Sequence, residues 1–245
     1  MKILVCISVV PDTTTKINFS ADGKNFVKDG VTFIVNPYDE WYALVRALEL
    51  KESQGGTVTV VNVGTESNDA VIRKALAIGA DDAVRINTEP LDCFQVGKLI
   101  SDYANGKDYD LILTGKETID YNSSMVGGII AENMQLPYVA LASSLEVDGS
   151  SATLHRDVEG GKEVVEANLP MVVSATKGMA EQRIPNMRGI MQARSKPLEV
   201  VELSADAKTS VQQFNSPPDK SECKYIDADN PGELWNLLHN EAKVI

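Results

Sequence analysis

The sequence predicts an α/β fold: a doubly wound, mostly parallel sheet with an antiparallel β-meander and an extended C-terminal arm ending in a helix. Three observations carry this. Up to about residue 134, short runs rich in Ile, Val and Leu alternate with stretches of helical periodicity, joined by Gly, Asn and Asp. After Pro137, three strand-like runs succeed one another across tight turns. From about Lys177 the density of core-forming residues falls.

In chain order, residues 2–10 are rich in Ile and Val and read as one buried strand. Residues 31–35 form a short β-like run into Asn36-Pro37. Trp41, Leu44, Val45 and Leu48 then fall on one face of a helix, which Gly55-Gly56 stops. Residues 57–63 are a second buried strand, and Asn68 is placed to cap a helix that bears Val71, Ala75 and Ile78 and closes at Gly79. Residues 83–86 are strand-like; Val96, Leu99, Ile100 and Tyr103 repeat the helical spacing; residues 110–114 are strand again. A fourth helix is expected from about Asn122 to Met134. A parallel sheet is covered on both faces, and its right-handed crossovers leave little topological freedom. Ligands of such sheets bind where strand carboxyl ends meet helix N-termini, here residues 8–11, 63–68 and 115–126.

The meander is expected at residues 143–147, 152–158 and 164–167, with turns at Asp148-Gly149 and Glu159-Gly160-Gly161. Residues 169–175 return as an apolar strand. Residues 204–224 are polar, contain Pro217-Pro218 and read as an extended arm. Asn230-Pro231-Gly232-Glu233 then offers an Asn cap and Pro at the first helical position, before an apolar stripe of Leu234, Leu237 and Leu238. A helix this short needs a surface to pack on, either a partner subunit or the chain's own body.

Composition removes several function classes. The 245 residues allow one large domain, or one with an appendage, and bury roughly 70–75% of the unfolded surface without staples. A net charge of −12 opposes binding to nucleic acid and to anionic membranes. No apolar run approaches the ~20 residues of a membrane helix, so no membrane insertion is expected. The apolar opening is cut short by Ser8 and Pro11-Asp12, unlike a secretory leader, and Cys6, Cys93 and Cys223 form no paired motif; both fit a cytoplasmic location. Only His155 and His239 are present, which leaves little for a zinc site or a Ser-His-Asp triad. No metal site and no hydrolytic chemistry are expected.

The most informative stretch is Thr114-Gly115-Lys116-Glu117-Thr118-Ile119-Asp120-Tyr121-Asn122-Ser123-Ser124, which leaves a buried strand and enters a helix. Unpaired amides there, helped by the helix dipole and the hydroxyls of Ser123 and Ser124, suit a phosphate; the alternative is an ordinary strand–helix turn. It is no Walker A loop, because Glu117 follows Lys116 and Asp110 stands where the first glycine belongs. No G-x-G-x-x-G follows any strand. Arg183, Arg188, Arg194 and Lys196 form one basic group in an acidic chain, either a solvated loop or a docking surface.

Three segments carry a family resemblance: Asn36-Pro37-Tyr38-Asp39-Glu40; Gly115-Lys116-Glu117-Thr118-Ile119-Asp120; and Arg156-Asp157-Val158-Glu159-Gly160-Gly161-Lys162-Glu163 followed by Leu169-Pro170-Met171-Val172-Val173-Ser174. On these, over essentially its whole length, the chain resembles the β subunit of electron transfer flavoproteins. The resemblance implies a sheet of the adenine-nucleotide-binding type and a heterodimer with an α subunit that holds FAD. It implies AMP buried in the β subunit with a structural role, and electrons passed between flavin-containing dehydrogenases and an acceptor. The chain would then be a carrier without catalysis of its own.

Carried over by position, the AMP site is Cys6 through its backbone, Asn36, Pro37, Tyr38, Asp39, Val63, and Gly115, Lys116, Glu117, Thr118, Ile119, Asp120, Tyr121, Asn122, Ser123, Ser124, Met125 and Val126. Tyr38 would also approach the flavin from the β side. Arg183, Met187, Arg188, Ile190 and Met191 would belong to a partner-recognition loop, with Met187 where relatives carry an anchoring leucine. The division implied is 1–180 for the nucleotide-binding body, 181–200 for that loop, and 201–245 for an arm and helix packing on the partner. Ser8 departs from the family where many members have Lys, and Arg188 where Pro is common. Tyr121-Asn122 replaces an Asp/Gly-rich continuation, which favours AMP over the second FAD of relatives that split electron pairs from NADH. A third alternative is a stand-alone adenine-nucleotide-binding regulator, disfavoured by the Arg156–Ser174 signature and the long arm.

Overall fold

A computed structural model describes residues 1–220 and 222–245; Ser221, in the expected arm, lies outside the described residues. The chain divides into two units, Met1–Ile17 with Val27–Gln212, and Asn18–Phe26 with Gln213–Ile245.

The first unit opens with β1 (Lys2–Cys6), β2 (Val9–Pro11), β3 (Phe33–Val35), α1 (Asp39–Gln54), β4 (Thr57–Val63), α2 (Asp69–Ile78), β5 (Asp82–Ile86) and α3 (Cys93–Ala104). It continues through β6 (Leu111–Gly115), α4 (Val126–Met134), β7 (Tyr138–Asp148), β8 (Ser151–Val158), β9 (Gly161–Asn168), β10 (Met171–Ala175), α5 (Met187–Ala193) and β11 (Leu198–Val201). Nine strands form one sheet in the order β11-β5-β4-β1-β6-β10-β7-β8-β9. From β11 to β7 the neighbours are parallel, and β8 and β9 add the antiparallel meander. This is the doubly wound α/β class with its meander.

Alternation along β1 divides the core. Ile3, Val5 and Ile7 pack with α1 and α2 on one face, while Leu4 and Cys6 pack with α3 and α4 on the other. The central residues of β1, β6 and β10 are fully buried, hence their unbroken apolar runs. Each such Leu, Ile or Val contributes about 1.5–3 kcal/mol of hydrophobic stabilisation.

Several expectations need correction. Residues 2–10 are not one strand. The chain leaves the sheet after Cys6 because Ser8 turns its N–H and hydroxyl onto the Glu40 carboxyl. β2 then pairs antiparallel with β3 in a separate two-stranded ribbon. The fourth helix starts at Val126 rather than near Asn122, because Asn122 and Ser124 sit in the left-handed region at φ 51° and 53°. β7 begins at Tyr138, well before the expected 143, since one strand does two jobs. Its first residues run parallel to β10, and after Leu141 (φ 60°) and a register shift it runs antiparallel to β8.

Asn68 precedes α2 without capping it; its amide instead donates to Asn62 Oδ1 at 2.9 Å. The segment after Lys177 holds a helix and a strand that composition did not announce. α5 turns most of its apolar side chains outward, and β11 is four residues long, paired parallel to β5.

In the second unit, Phe19 stacks on Phe214 at 4.9 Å between ring centroids and meets Phe26 edge-on at 6.5 Å. The Phe214 amide donates to the Gly23 carbonyl at 2.7 Å. A helix over Pro231–Asn236 widens into π-type turns over Leu237–Ala242, with Trp235 stacked on His239. Pro231 occupies the first turn as expected, but the Asn230 side chain makes no capping bond. Among the described residues no helix is long and apolar enough to cross a membrane.

Candidate functional site

The order β4-β1-β6 makes the junction of β1 and β6 the point where the winding reverses. A cleft of about 350 Å³ opens there, at the carboxyl ends of β1, β4 and β6. One end is the loop between β6 and α4: Gly115, Lys116, Glu117, Thr118, Asp120, Tyr121, Ser123, Ser124, Met125 and Val126 all line it. Cys6 and Val63 line it from their strand ends. The Cys6 thiol is pushed well up by burial and by the charge of Glu40, so it is an inert apolar surface.

Asn36 lies behind the wall. It is fully buried, its Nδ2 donates to the Glu117 carbonyl at 2.9 Å, and its Oδ1 accepts the Ile119 N–H at 3.0 Å. This side chain therefore ties the loop to the end of β3. Pro37, Tyr38, Asp39, Ile119 and Asn122 are not among the lining residues. Tyr38 stands exposed at φ 64° just before α1. Burial raises the Asp39 carboxyl, with Lys116 pulling the other way.

Gly115 has a steric reason. A Cβ there would meet Glu40 Cγ at 2.7 Å and the Glu40 backbone N at 2.9 Å, so α1 and β6 close together only over glycine. Lys116 is paired with Glu117 at 2.9 Å, which in turn accepts the Ser124 hydroxyl at 3.0 Å. The pair raises the Lys116 ammonium and lowers the Glu117 carboxyl. The loop thus offers amides and hydroxyls in a preset shape, with its one lysine already engaged.

Four further parts of the site were not singled out as ligand contacts, although Glu40, Thr114 and Asn68 stand in segments named above. Glu40 is buried in the cleft wall, with Ser8 N–H at 2.6 Å and Ser8 Oγ at 2.5 Å. Burial raises its carboxyl to about 8, against the lowering pull of the Ser8 bonds. An acid in the first turn of a helix normally signals only a partner for the dipole, so its place in the Asn36–Glu40 segment did not announce its burial. Thr114 Oγ1 is buried at the cleft without any hydrogen-bond partner among the described residues. Asn62 and Asn68 also face the cleft, linked to each other and to the Ile7 carbonyl. The far end is made by Pro90, Leu91, Asp92, Cys93, Val96 and Ile100 together with Thr209, Ser210 and Val211.

The segment around α5 is a second site candidate. Gly189 lets α5 rest on α2, since a Cβ there would stand 2.3 Å from the Ala77 carbonyl oxygen. Arg73 donates to the carbonyls of Ala193 and Lys196, and the Lys196 ammonium donates to those of Leu76 and Ala80 at the end of α2. Arg183 pairs with Glu52 through both terminal guanidinium nitrogens, at 2.6 and 3.0 Å. The basic group is therefore split: Arg183 and Lys196 fasten the segment, while Arg188 and Arg194 face solvent. Ile184, Met187, Ile190 and Met191 are exposed on this rigid mount, Met187 by 74%.

A family model described as the electron transfer flavoprotein domain matches residues 24–206. The electron transfer flavoprotein subunit beta of Bacillus subtilis (strain 168) is 38% identical over 260 residues, covering all of both chains. The chain belongs to the electron transfer flavoprotein β-subunit family. The subunit beta of Homo sapiens is 31% identical over 232 residues, covering 90% of this chain and 91% of its own. The caffeyl-CoA reductase–Etf complex subunit CarD of Acetobacterium woodii is 30% identical over 259 residues, covering 99% and 98%. Electron transfer flavoprotein membership places the chain in flavin-associated electron transport. Among the described residues no group of three or more His, Cys, Asp or Glu side chains is set to hold a metal.

Proposed function

We propose that this chain is the β subunit of a two-chain electron transfer flavoprotein that buries AMP as a structural element. FAD held mainly by the α subunit takes up and gives off the electrons, and the chain catalyses no reaction of its own. The observation that carries this reading is the cleft at the β1/β6 junction, polar at the loop end and apolar at the α3 end. Val63, Leu91, Val96, Ile100 and Val126 suit a purine face, while the loop amides with the Thr118 and Ser123 hydroxyls suit one phosphate. A cleft of about 350 Å³ suits a mononucleotide better than FAD, which is about twice as large.

The partner-recognition role falls to α5 and the residues just before it, whose exposed Met187, Ile190, Met191 and Ile184 sit where the resemblance places the docking loop. Of the 201–245 arm, residues 213–220 and 222–245 are largely exposed, which fits a segment that wraps the α subunit. Co-expression with the α subunit tests the reading: a one-to-one complex that accepts electrons from a flavin-containing dehydrogenase is expected. A chain that stays soluble alone and saturates with ATP contradicts it.

Two substitutions probe the two sites. Ser124 sits at φ 53°, which Asp and Asn tolerate. Ser124→Asp should weaken nucleotide retention about tenfold or more by like charge beside the phosphate, whereas Ser124→Asn should not. Equal retention in both would remove the phosphate from this loop. Met187→Ala should slow electron transfer from the dehydrogenase about tenfold, the scale of an interface hot spot, with flavin and nucleotide contents unchanged. Transfer at the wild-type rate would move the docking surface elsewhere.

A further inference from the structure

We infer that residues 205–211 are a strap closing the α3 end of the cleft over the nucleotide, with the Asp92 carboxylate as its latch. This deepens the reading of the cleft as a nucleotide site and rests on it. Thr209, Ser210 and Val211 form part of the cleft wall although nearly a hundred residues of chain separate them from β6. They reach it because the strap is fastened to the start of α3.

The two oxygens of Asp92 divide the work. Oδ1 accepts the Gln95 N–H at 2.7 Å and so caps α3. Oδ2 accepts the N–H groups of Lys208 and Thr209, each at 2.7 Å, and the Thr209 hydroxyl at 3.1 Å. Burial alone would raise this carboxyl, but the bonds from Gln95, Thr209 and Lys208 hold it below its ordinary value, so the latch is charged at neutral pH.

A second fastening flanks the latch. Gln95 accepts the Leu91 N–H and donates to the Ala205 carbonyl at 3.0 Å, and the Lys208 ammonium lies 5.1 Å from the Phe94 ring. Apart from these ties the strap carries no helix or strand bonding. Beyond the packing of Ala205 on the core, its closed position depends on Asp92 and on Phe94 and Gln95 of α3, so it can open without unfolding the sheet. Thr209 to Val211 face the cleft beside Leu91 and Cys93, so a base bound there is covered on release of the latch no longer.

The division of the carboxylate supplies the test. Asp92→Asn keeps an oxygen for the Gln95 N–H, since Asn is an equally good cap, but turns an amide donor toward two strap N–H groups. In the purified α–β complex loaded with radiolabelled AMP and chased with unlabelled AMP, Asp92→Asn should release label about tenfold faster or more. Thermal midpoint and FAD content should stay near those of wild type. Release at the wild-type rate overturns the latch. If the variant fails to fold, hydrogen exchange on the wild-type complex decides: the Lys208 and Thr209 amides should be protected more with AMP than without. Equal exchange in the two states overturns the strap. A wild-type complex that takes up no AMP fails differently, removing the nucleotide reading itself.

Discussion

Asn36→Ala should destabilise the protein by about 2–4 kcal/mol and strip the nucleotide from its cleft. Two hydrogen bonds disappear together, and each leaves a loop group without its partner, the Glu117 carbonyl and the Ile119 N–H. No water easily replaces the amide, because Asn36 is fully buried. The loop it holds contains left-handed residues at Asn122 and Ser124, a conformation that persists only while the surroundings impose it. Once freed, the loop samples other shapes, and its amides no longer converge on one phosphate. Urea denaturation and the nucleotide retained after gel filtration measure the two effects. Asn36→Asp is the internal comparison: it still accepts from Ile119 but faces the Glu117 carbonyl with a buried, unpaired carboxylate, so a loss at least as large is expected at neutral pH, easing as the carboxyl is protonated. If alanine leaves both stability and nucleotide content untouched, the loop is shaped by something else.

The second large effect is on pH dependence, at Glu40. Its carboxyl is raised to about 8 in the folded chain by burial, with the charges of Asp120 and Asp39 adding to the rise. An unfolded glutamate titrates near 4.5. The folded state therefore holds the proton more tightly than the unfolded state. The favourable contribution is complete below pH 4.5 and is lost as pH rises through about 8, over a range worth roughly 3–5 kcal/mol. A protonated Glu40 still serves Ser8, accepting its N–H with one oxygen and donating from the other to its hydroxyl. Glutamine reproduces both contacts without a proton to lose. Glu40→Gln should therefore match wild type at low pH and become more stable than wild type between pH 5 and 8. Parallel stability curves for the two proteins would mean that Glu40 ionises as an ordinary carboxylate. Ser8→Lys, which sets a cation beside this carboxyl, should bring it down and shrink the difference.

These two residues also show where sequence reading works and where it stops. Ile3 to Val5 and Leu111 to Leu113 were legible as parallel strands because both faces of the sheet are covered and no polar residue interrupts them. The loop from Gly115 to Val126 was legible because a strand end followed by small polar residues is a local pattern. The outward exposure of Met187 and Ile190 could not be read from periodicity, because an apolar stripe that faces outward looks like any loop residue. The burial of Glu40 and the contacts of Asp92 and Thr209 were not legible. Their roles come from partners far away in sequence, Ser8 for the first and the α3–strap contact for the others. In the sequence Ser8 stands out only against the family resemblance; the fold shows that it meets a buried carboxyl. β11 escaped because four residues pairing with β5 carry too little pattern to separate a strand from an arm.

The central claim is that this electron transfer flavoprotein β subunit holds AMP in the cleft at the β1/β6 junction, beside a partner that holds FAD. Denaturing the purified two-chain complex and separating the released nucleotides by chromatography tests it most directly. AMP and FAD in a one-to-one ratio are expected; two FAD per complex with no AMP would contradict it.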